Sequence, residues 1–195
     1  MNYNKQKLNQ ILENGGVIAF VTDTVWGIGC LPENEQAVNK IYEIKGRDRT
    51  KPIILMSDNV EHLKKYVEKI PATAQNLISR FFPGALTLVL KKSKVTPDYM
   101  TANFDTVGIR VPDNSTFKQI CEDINSHVLA TTSANLSGQP SAKTYEQALD
   151  FIGKYVDLVI EDNSQLAKGL ESTVVFVSDN QVKVLRNGAI KLMSN

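Results

Sequence analysis

The sequence predicts a sheet covered by helices, of α/β or mixed α+β type, and three observations predict it. Segments with apolar residues at helical spacing alternate with short apolar runs along the chain. Several runs, VIAFV (17–21) and PIILM (52–56) among them, are continuously apolar, as strands buried on both faces are. No repeat, linker or low-complexity tract interrupts the 195 residues. One domain over residues 1–195, with a core at about 8–190, is the economical reading.

The elements follow in order. Residues 3–14 read as a helix with Leu8, Ile11 and Leu12 on one face, ended by Gly15 and Gly16. VIAFV is a strand running into TDTVWGIGC (22–30), read as a loop rich in hydroxyls and glycine. Pro32 opens a helix to about Ile44, with Ala37, Val38, Ile41 and Tyr42 at helical spacing. A basic stretch follows, then the strand PIILM. Asp58 and Glu61 form a capping box for a helix burying Leu63, Tyr66 and Val67. The next helix starts after Pro71 and stops at Pro83-Gly84. ALTLVL (85–90) and VGIRV (107–111) are strands, 115–124 is a helix, and VLATT (128–132) is a strand entering the loop SANLSGQPSAK. Thr144 and Gln147 box the following helix. VDLVI (156–160), TVVFV (173–177) and VKVLR (182–186) are strands, the last two joined as a hairpin at Asp179-Asn180.

Composition narrows the function. Twenty-two bases against 21 acids leave a net charge of +1, which gives no broad electrostatic grip on a nucleic-acid backbone, so an anion site must be local. Cys30 and Cys121 lie far apart, without CxxC spacing and with no histidine beside them. They read as reduced thiols of a cytoplasmic protein rather than zinc ligands or a disulfide. The N-terminal stretch MNYNKQKLNQ is polar, with no apolar signal region. No apolar run approaches the roughly 18 residues of a membrane span.

Chemistry-bearing residues collect at strand ends, where open sheets bind ligands. Thr22, Asp23 and Thr24 follow the first strand; Thr132, Ser133, Asn135, Ser137 and Ser141 follow VLATT. Glu171 and Ser172 precede TVVFV, and Arg186 closes VKVLR. Lys45, Arg47, Arg49 and Lys51 crowd into seven positions with Asp48 as the only acid among them. Each piece has a plain structural reading: a solvated basic surface, caps and turns for the hydroxyls, a turn former in Asp23, a core anchor in Trp26, a structural His127. Arg110 resists one, because an arginine inside an apolar strand calls for an anionic partner. The P-loop, the complete dinucleotide fingerprint and the GxSxG elbow are absent, and neither cysteine has a histidine partner in sequence. What remains are cations, hydroxyls and backbone amides, a set suited to positioning and charge neutralisation, as in phosphoryl or nucleotidyl transfer.

The motifs VTDTVWGIG, KGRDRTKPI, FPGALTLVL, VGIRVP, TTSANLSGQPS, ESTVV and LRNG, in that order, resemble the YrdC/TsaC family over about residues 10–190. The resemblance implies an open, twisted, mixed α/β sheet flanked by helices, with a deep basic concave face. It implies an enzyme, a threonylcarbamoyl-AMP synthase that joins L-threonine, bicarbonate or CO2, and ATP into threonylcarbamoyladenylate and pyrophosphate. The product would serve threonylcarbamoyladenosine modification next to the anticodon of tRNA. Matched by position, Lys45 and Arg47 fall on the catalytic KxR pair at the phosphates, with Lys51, Thr106, Ser133, Asn135, Ser141 and Arg186 as further ATP contacts. Thr24, Arg110, Thr131 and Ser172 fall on threonine contacts. Mg²⁺ is implied with ATP, with no dedicated protein ligand set for a metal. Implied partners are a downstream transferase complex (TsaD, TsaB, TsaE) and, weakly, tRNA, with no membrane; the implied location is cytoplasmic.

Departures from the family pattern are Val21 for the usual Pro, Trp26 for Tyr, Asp48 where Pro often follows KxR, and Met56 where many members carry His. The chain runs nine residues past Arg186, so it reads as the short type, without a second domain to close over the intermediate. Two other readings stand beside the synthase: an RNA-binding module on the same concave face, disfavoured by neutral charge and the lack of stacking motifs, and a carbamoyl-transfer domain like that of hydrogenase maturation proteins.

Overall fold

The computed structural model describes residues 3–161, 166–179 and 181–192. Helix α1 (Lys5–Glu13) is capped by Asn4, which accepts from the Lys7 amide, and ends where the Gly15 and Gly16 amides donate to Leu12 and Ile11. Strand β1 (Ile18–Phe20) is followed by β2 (Gly27–Cys30), inside the stretch read as a loop. Helix α2 (Glu35–Lys45) starts at an Asn34 cap rather than at Pro32, and stops at Gly46, whose φ of 55° turns the chain out of the helix into the basic stretch.

Strand β3 (Ile54–Ser57) leads to α3 (Val60–Leu63). The cap of α3 is Asn59, which accepts from the Glu61 amide; the expected Asp58–Glu61 box does not form, because Asp58 faces elsewhere. Then come α4 (Ala72–Phe81), β4 (Leu86–Lys91), α5 (Asp98–Thr101), β5 (Thr106–Arg110), α6 (Ser115–Asp123) and β6 (Val128–Ser133). Thr144 caps α7 (Tyr145–Ala148), but the Gln147 carboxamide accepts from the Lys143 amide, one residue before the position a capping box uses. The chain ends with β7 (Leu158–Val159), β8 (Thr173–Val177) and β9 (Val182–Arg186). β8 and β9 pair antiparallel as expected; Asn180 of their turn lies outside the described residues.

Among the described residues the strands form one open sheet, ordered β7-β1-β2-β6-β3-β5-β4-β8-β9. It is mixed: β1/β7, β3/β5 and β4/β8 are parallel and the other neighbours antiparallel. Side-chain parity sorts the two faces. Leu55, Leu86, Leu88, Leu90, Val107, Ile109 and Val175 belong to the larger core, packed with residues of α2, α4 and α5. Ile18, Phe20, Met56 and Leu129 face the other way, onto Leu8 and Leu12 of α1 and Phe117, Ile120 and Cys121 of α6. That second layer covers only part of its face. Residues of the same parity farther along, Thr87 and Val89, Thr106, Gly108 and Arg110, Thr131 and Ser133, line an uncovered cavity.

Gly108 keeps the floor of that cavity flat. A Cβ there would lie 2.6 Å from Ile54 Cγ2 and 3.4 Å from Thr87 Cγ2. Gly108→Ala is expected to lower the unfolding free energy by about 1–3 kcal/mol, as overpacking does. Denaturant titration checks this; an unchanged midpoint with unchanged slope would show that Ile54 yields freely.

Candidate active site

The cavity has a volume of about 750 Å³. Among the described residues its lining carries five cations, Lys45, Arg47, Lys51, Arg110 and Arg186, against a single carboxylate, Glu171.

Arg110, the last residue of β5, is 2 % exposed. Its Nε donates to the Gly84 carbonyl at 2.9 Å and its Nη1 to Thr24 Oγ1 at 2.9 Å. Its Nη2 is ion-paired with Asp23, itself 6 % exposed. Asp23 is thus more than a turn former: it supplies the anion a buried guanidinium requires. The TDT turn is built to present both groups. Thr22 Oγ1 donates to the Val25 carbonyl at 2.7 Å and accepts from the Thr24 amide at 3.2 Å.

Lys45 ends α2 and is also 2 % exposed. Its ammonium donates to the Ser133 carbonyl, to the Asn135 carbonyl at 2.7 Å and to Asn135 Oδ1 at 2.9 Å. Asn135 Oδ1 also accepts from Ser133 Oγ at 2.6 Å, and its Nδ2 donates to the Gln139 carbonyl at 2.6 Å. The Ser137 amide returns a bond to the Lys45 carbonyl at 2.8 Å. One buried ammonium therefore shapes the loop after β6. Burial, reinforced by the neighbouring Arg47, lowers the Lys45 pKa to about 7, with Glu171 opposing.

The basic stretch is a tight turn. Asp48 Oδ1 accepts from the Thr50 amide at 2.9 Å, and Arg47 donates from Nε to the Lys51 carbonyl at 3.2 Å and from Nη2 to the Pro52 carbonyl at 3.0 Å. Lys45, Arg47 and Lys51 line the cavity, whereas Arg49 turns outward over the Tyr42 ring and donates to Asn39. On the opposite wall Arg186 is ion-paired with Glu171 and donates to the Ser172 carbonyl at 2.9 Å and to Ser172 Oγ at 3.2 Å. Ser172 Oγ lies 2.8 Å from Thr87 Oγ1. Neither cysteine is poised as a nucleophile: both are buried, and burial pushes Cys30 up to about 12 and Cys121 well above the usual thiol range.

The family model Sua5/YciO/YrdC, described as "Telomere recombination", matches residues 10–188. The chain belongs to this family. Threonylcarbamoyl-AMP synthase of Pyrococcus abyssi is 37 % identical over 93 % of this chain, which spans 53 % of that relative. That of Pseudoalteromonas translucida is 39 % identical over 79 % of this chain and 85 % of its own length. The structure of Pyrococcus abyssi Sua5 complexed with L-threonine superposes with a TM-score of 0.87 at 32 % identity, covering 96 % of this chain and 56 % of that one. This chain thus spans about half the length of the Pyrococcus abyssi protein.

Of the residues matched to the Sua5/YciO/YrdC pattern, the fold brings together Thr24, Lys45, Arg47, Lys51, Thr106, Arg110, Thr131, Ser133, Asn135, Ser172 and Arg186 around the one cavity. Ser141 is outside its lining and sits behind Glu171, donating to Oε1 at 3.4 Å. Sequence reasoning assigned no role to Glu171 or Thr87. Thr87 had a signal, as the one polar residue in the run ALTLVL. Trp26 is a core anchor as read: fully buried, packed on Tyr145 at 5.9 Å between ring centroids, and among the residues that bound the cavity.

Proposed function

We propose that the chain is a threonylcarbamoyl-AMP synthase, making L-threonylcarbamoyladenylate and pyrophosphate from L-threonine, CO2 or bicarbonate, and ATP. One observation carries the reading: five cations from the end of α2, the turn after it, β5 and β9 meet the hydroxyls of Thr24, Thr131, Ser133 and Ser172 in a single cavity. A carboxylate, a carbamate and a triphosphate could not share that space without such cations.

On this reading Arg110 binds the threonine carboxylate, with Thr24, Thr131 and Ser172 around the amino acid. The threonine amine attacks CO2 and loses a proton, giving a carbamate. A carbamate oxygen then attacks the α-phosphorus, and the bond to pyrophosphate breaks with its electrons leaving on pyrophosphate. Arg47, Lys51 and Arg186 face the charge that collects there, and Lys45 holds the loop bearing Ser133 and Asn135 against the nucleotide. Thr106 joins the ATP contacts, and Ser141 acts at one remove through Glu171. The donor set fits a Mg²⁺ that arrives on the phosphates, since among the described residues Glu171 is the single lining carboxylate and is already engaged. Bound there, Mg²⁺ would neutralise phosphate charge. We place the reaction in the cytoplasm, with the product passing to a threonylcarbamoyl transferase complex and with weak tRNA binding at most. No described helix is long and apolar enough to cross a membrane.

Pyrophosphate release tests the proposal: it is expected only with threonine, bicarbonate and ATP together, and release without threonine would remove it. A pH dependence follows from Lys45. ATP favours the ammonium form, and the free group titrates at about 7. Below that value the site is already charged; above it, binding must take up a proton, so ATP affinity is expected to fall by up to about tenfold per pH unit. Titration calorimetry in buffers of different ionisation enthalpy reads that proton, and Lys45→Met is expected to abolish it.

A further inference from the structure

We propose that Asp58, His62 and His127 form a binding site for a divalent transition-metal cation of the zinc class, separate from the active-site cavity. The two histidines, 65 positions apart in sequence, are brought together by the sheet. β3 and β6 pair with Ser57 opposite Val128, so the residue after β3, Asp58, lies beside the residue before β6, His127. His62 sits on α3, one helical turn beyond Asp58. One ligand atom from each residue lies within 4.8 Å of the other two.

The distances are near those a cation needs. Zinc ligands at about 2.0–2.2 Å in tetrahedral geometry stand roughly 3.3–3.5 Å from one another. Asp58 Oδ1 is 3.5 Å from His127 Nδ1, and Asp58 Oδ2 is 4.0 Å from His62 Nε2. The His62 side chain is 38 % exposed, which leaves its ring room to turn out of the stack on His127 and present a lone pair to a shared cation. Two imidazoles and one carboxylate suit zinc, cobalt or nickel better than magnesium or calcium. A water would complete the fourth position.

Two features suit His127 to a ligand's role. His127 Nδ1 is buried and makes no hydrogen bond, a costly state for a ring nitrogen unless something binds it. Its backbone sits at φ 56°, a region a side chain seldom adopts, and this conformation carries the ring to Asp58. The neighbours hold it there: Ser57 Oγ lies 2.7 Å from the His127 carbonyl and 3.1 Å from Asp58 Oδ1, and the His62 and His127 rings stack at 4.2 Å.

None of the three ligands lines the active-site cavity, although Asp58 follows two residues after Met56, which does and which pairs with Arg110. The cation would pin α3 to the ends of β3 and β6.

The test uses the full chain stripped with chelator, then titrated with Zn²⁺ and, separately, Co²⁺. One equivalent is expected to bind, with the melting temperature rising by about 5 °C or more at a hundredfold excess over Kd. The Co²⁺ form is expected to show visible d–d bands without sulfur charge transfer. His62→Ala and His127→Asn are each expected to weaken binding at least about a hundredfold, as ligand loss does, while His62→Ala leaves pyrophosphate release unchanged. His62 lies on the helix surface, so that variant decides the matter even if His127→Asn fails to fold. No saturable uptake, retained uptake in His62→Ala, or a thiolate band would overturn the proposal.

Discussion

Arg110→Ala is expected to lower kcat/KM for threonine by about 10²–10³-fold, the scale of losing a paired, charge-assisted contact to a carboxylate. ATP affinity is expected to change by less than about threefold, since on the proposed reading the nucleotide meets other cations. The same substitution should destabilise the protein. Arg110 and Asp23 are both buried and ion-paired, and removing one partner strands the other at a cost of about 3–5 kcal/mol. The two effects separate in a double variant. Adding Asp23→Asn to Arg110→Ala removes the stranded charge, so stability should recover in part while threonine use does not. Equal losses toward threonine and ATP, or recovery of threonine use in the double variant, would show that Arg110 acts through the fold alone.

Lys45→Met should cut kcat/KM for ATP by about 10²–10³-fold, through loss of three bonds from an ammonium worth roughly 1.5–3 kcal/mol each before water replaces part of them. The site of damage is the loop after β6. Its partners are carbonyls and the Asn135 carboxamide, and with the ammonium gone only the Ser133 hydroxyl and the Asn135 amide, among the described residues, still donate to any of them, both from within the loop. Amides from Asn135 to Gln139 should exchange faster in the variant while those of β6 stay protected. Lys45→Arg should not rescue, because a planar fork cannot reproduce three convergent bonds from one atom. Near-normal ATP kinetics with unchanged exchange would take Lys45 out of both roles.

What could be read in the sequence follows the range of the interactions. Strands with continuous apolar runs, β1 and β3 among them, were legible because burial on two faces leaves a local pattern, whereas β9 is exposed along its whole length and was legible from the Asp179-Asn180 turn signal before it. β2 was not: Gly27 and Gly29 alternate in it, and only the fold shows why. A Cβ on Gly27 would meet the Phe20 ring at 3.0 Å, so glycine there serves packing between strands rather than a turn. Caps slipped by a residue or two, Asn59 for Asp58 and Asn34 for Pro32, since several capping-competent residues adjoin and only geometry chooses between them. The cations of the site were legible through their motifs. Their internal partners were not, because Asp23 and Arg110 are 87 residues apart and nothing local records that they meet.

Arg186 does not wait bare. Its guanidinium holds Glu171, and Glu171 in turn accepts from Ser141. An anion arriving at that wall must evict a carboxylate of the same chain, and a small ion touching one cation gains little by the exchange. A polyanion that reaches Arg186, Lys51 and Arg47 together gains three partners for one displaced. On the proposed reading, the resident carboxylate would act as a threshold that free phosphate fails and a triphosphate passes.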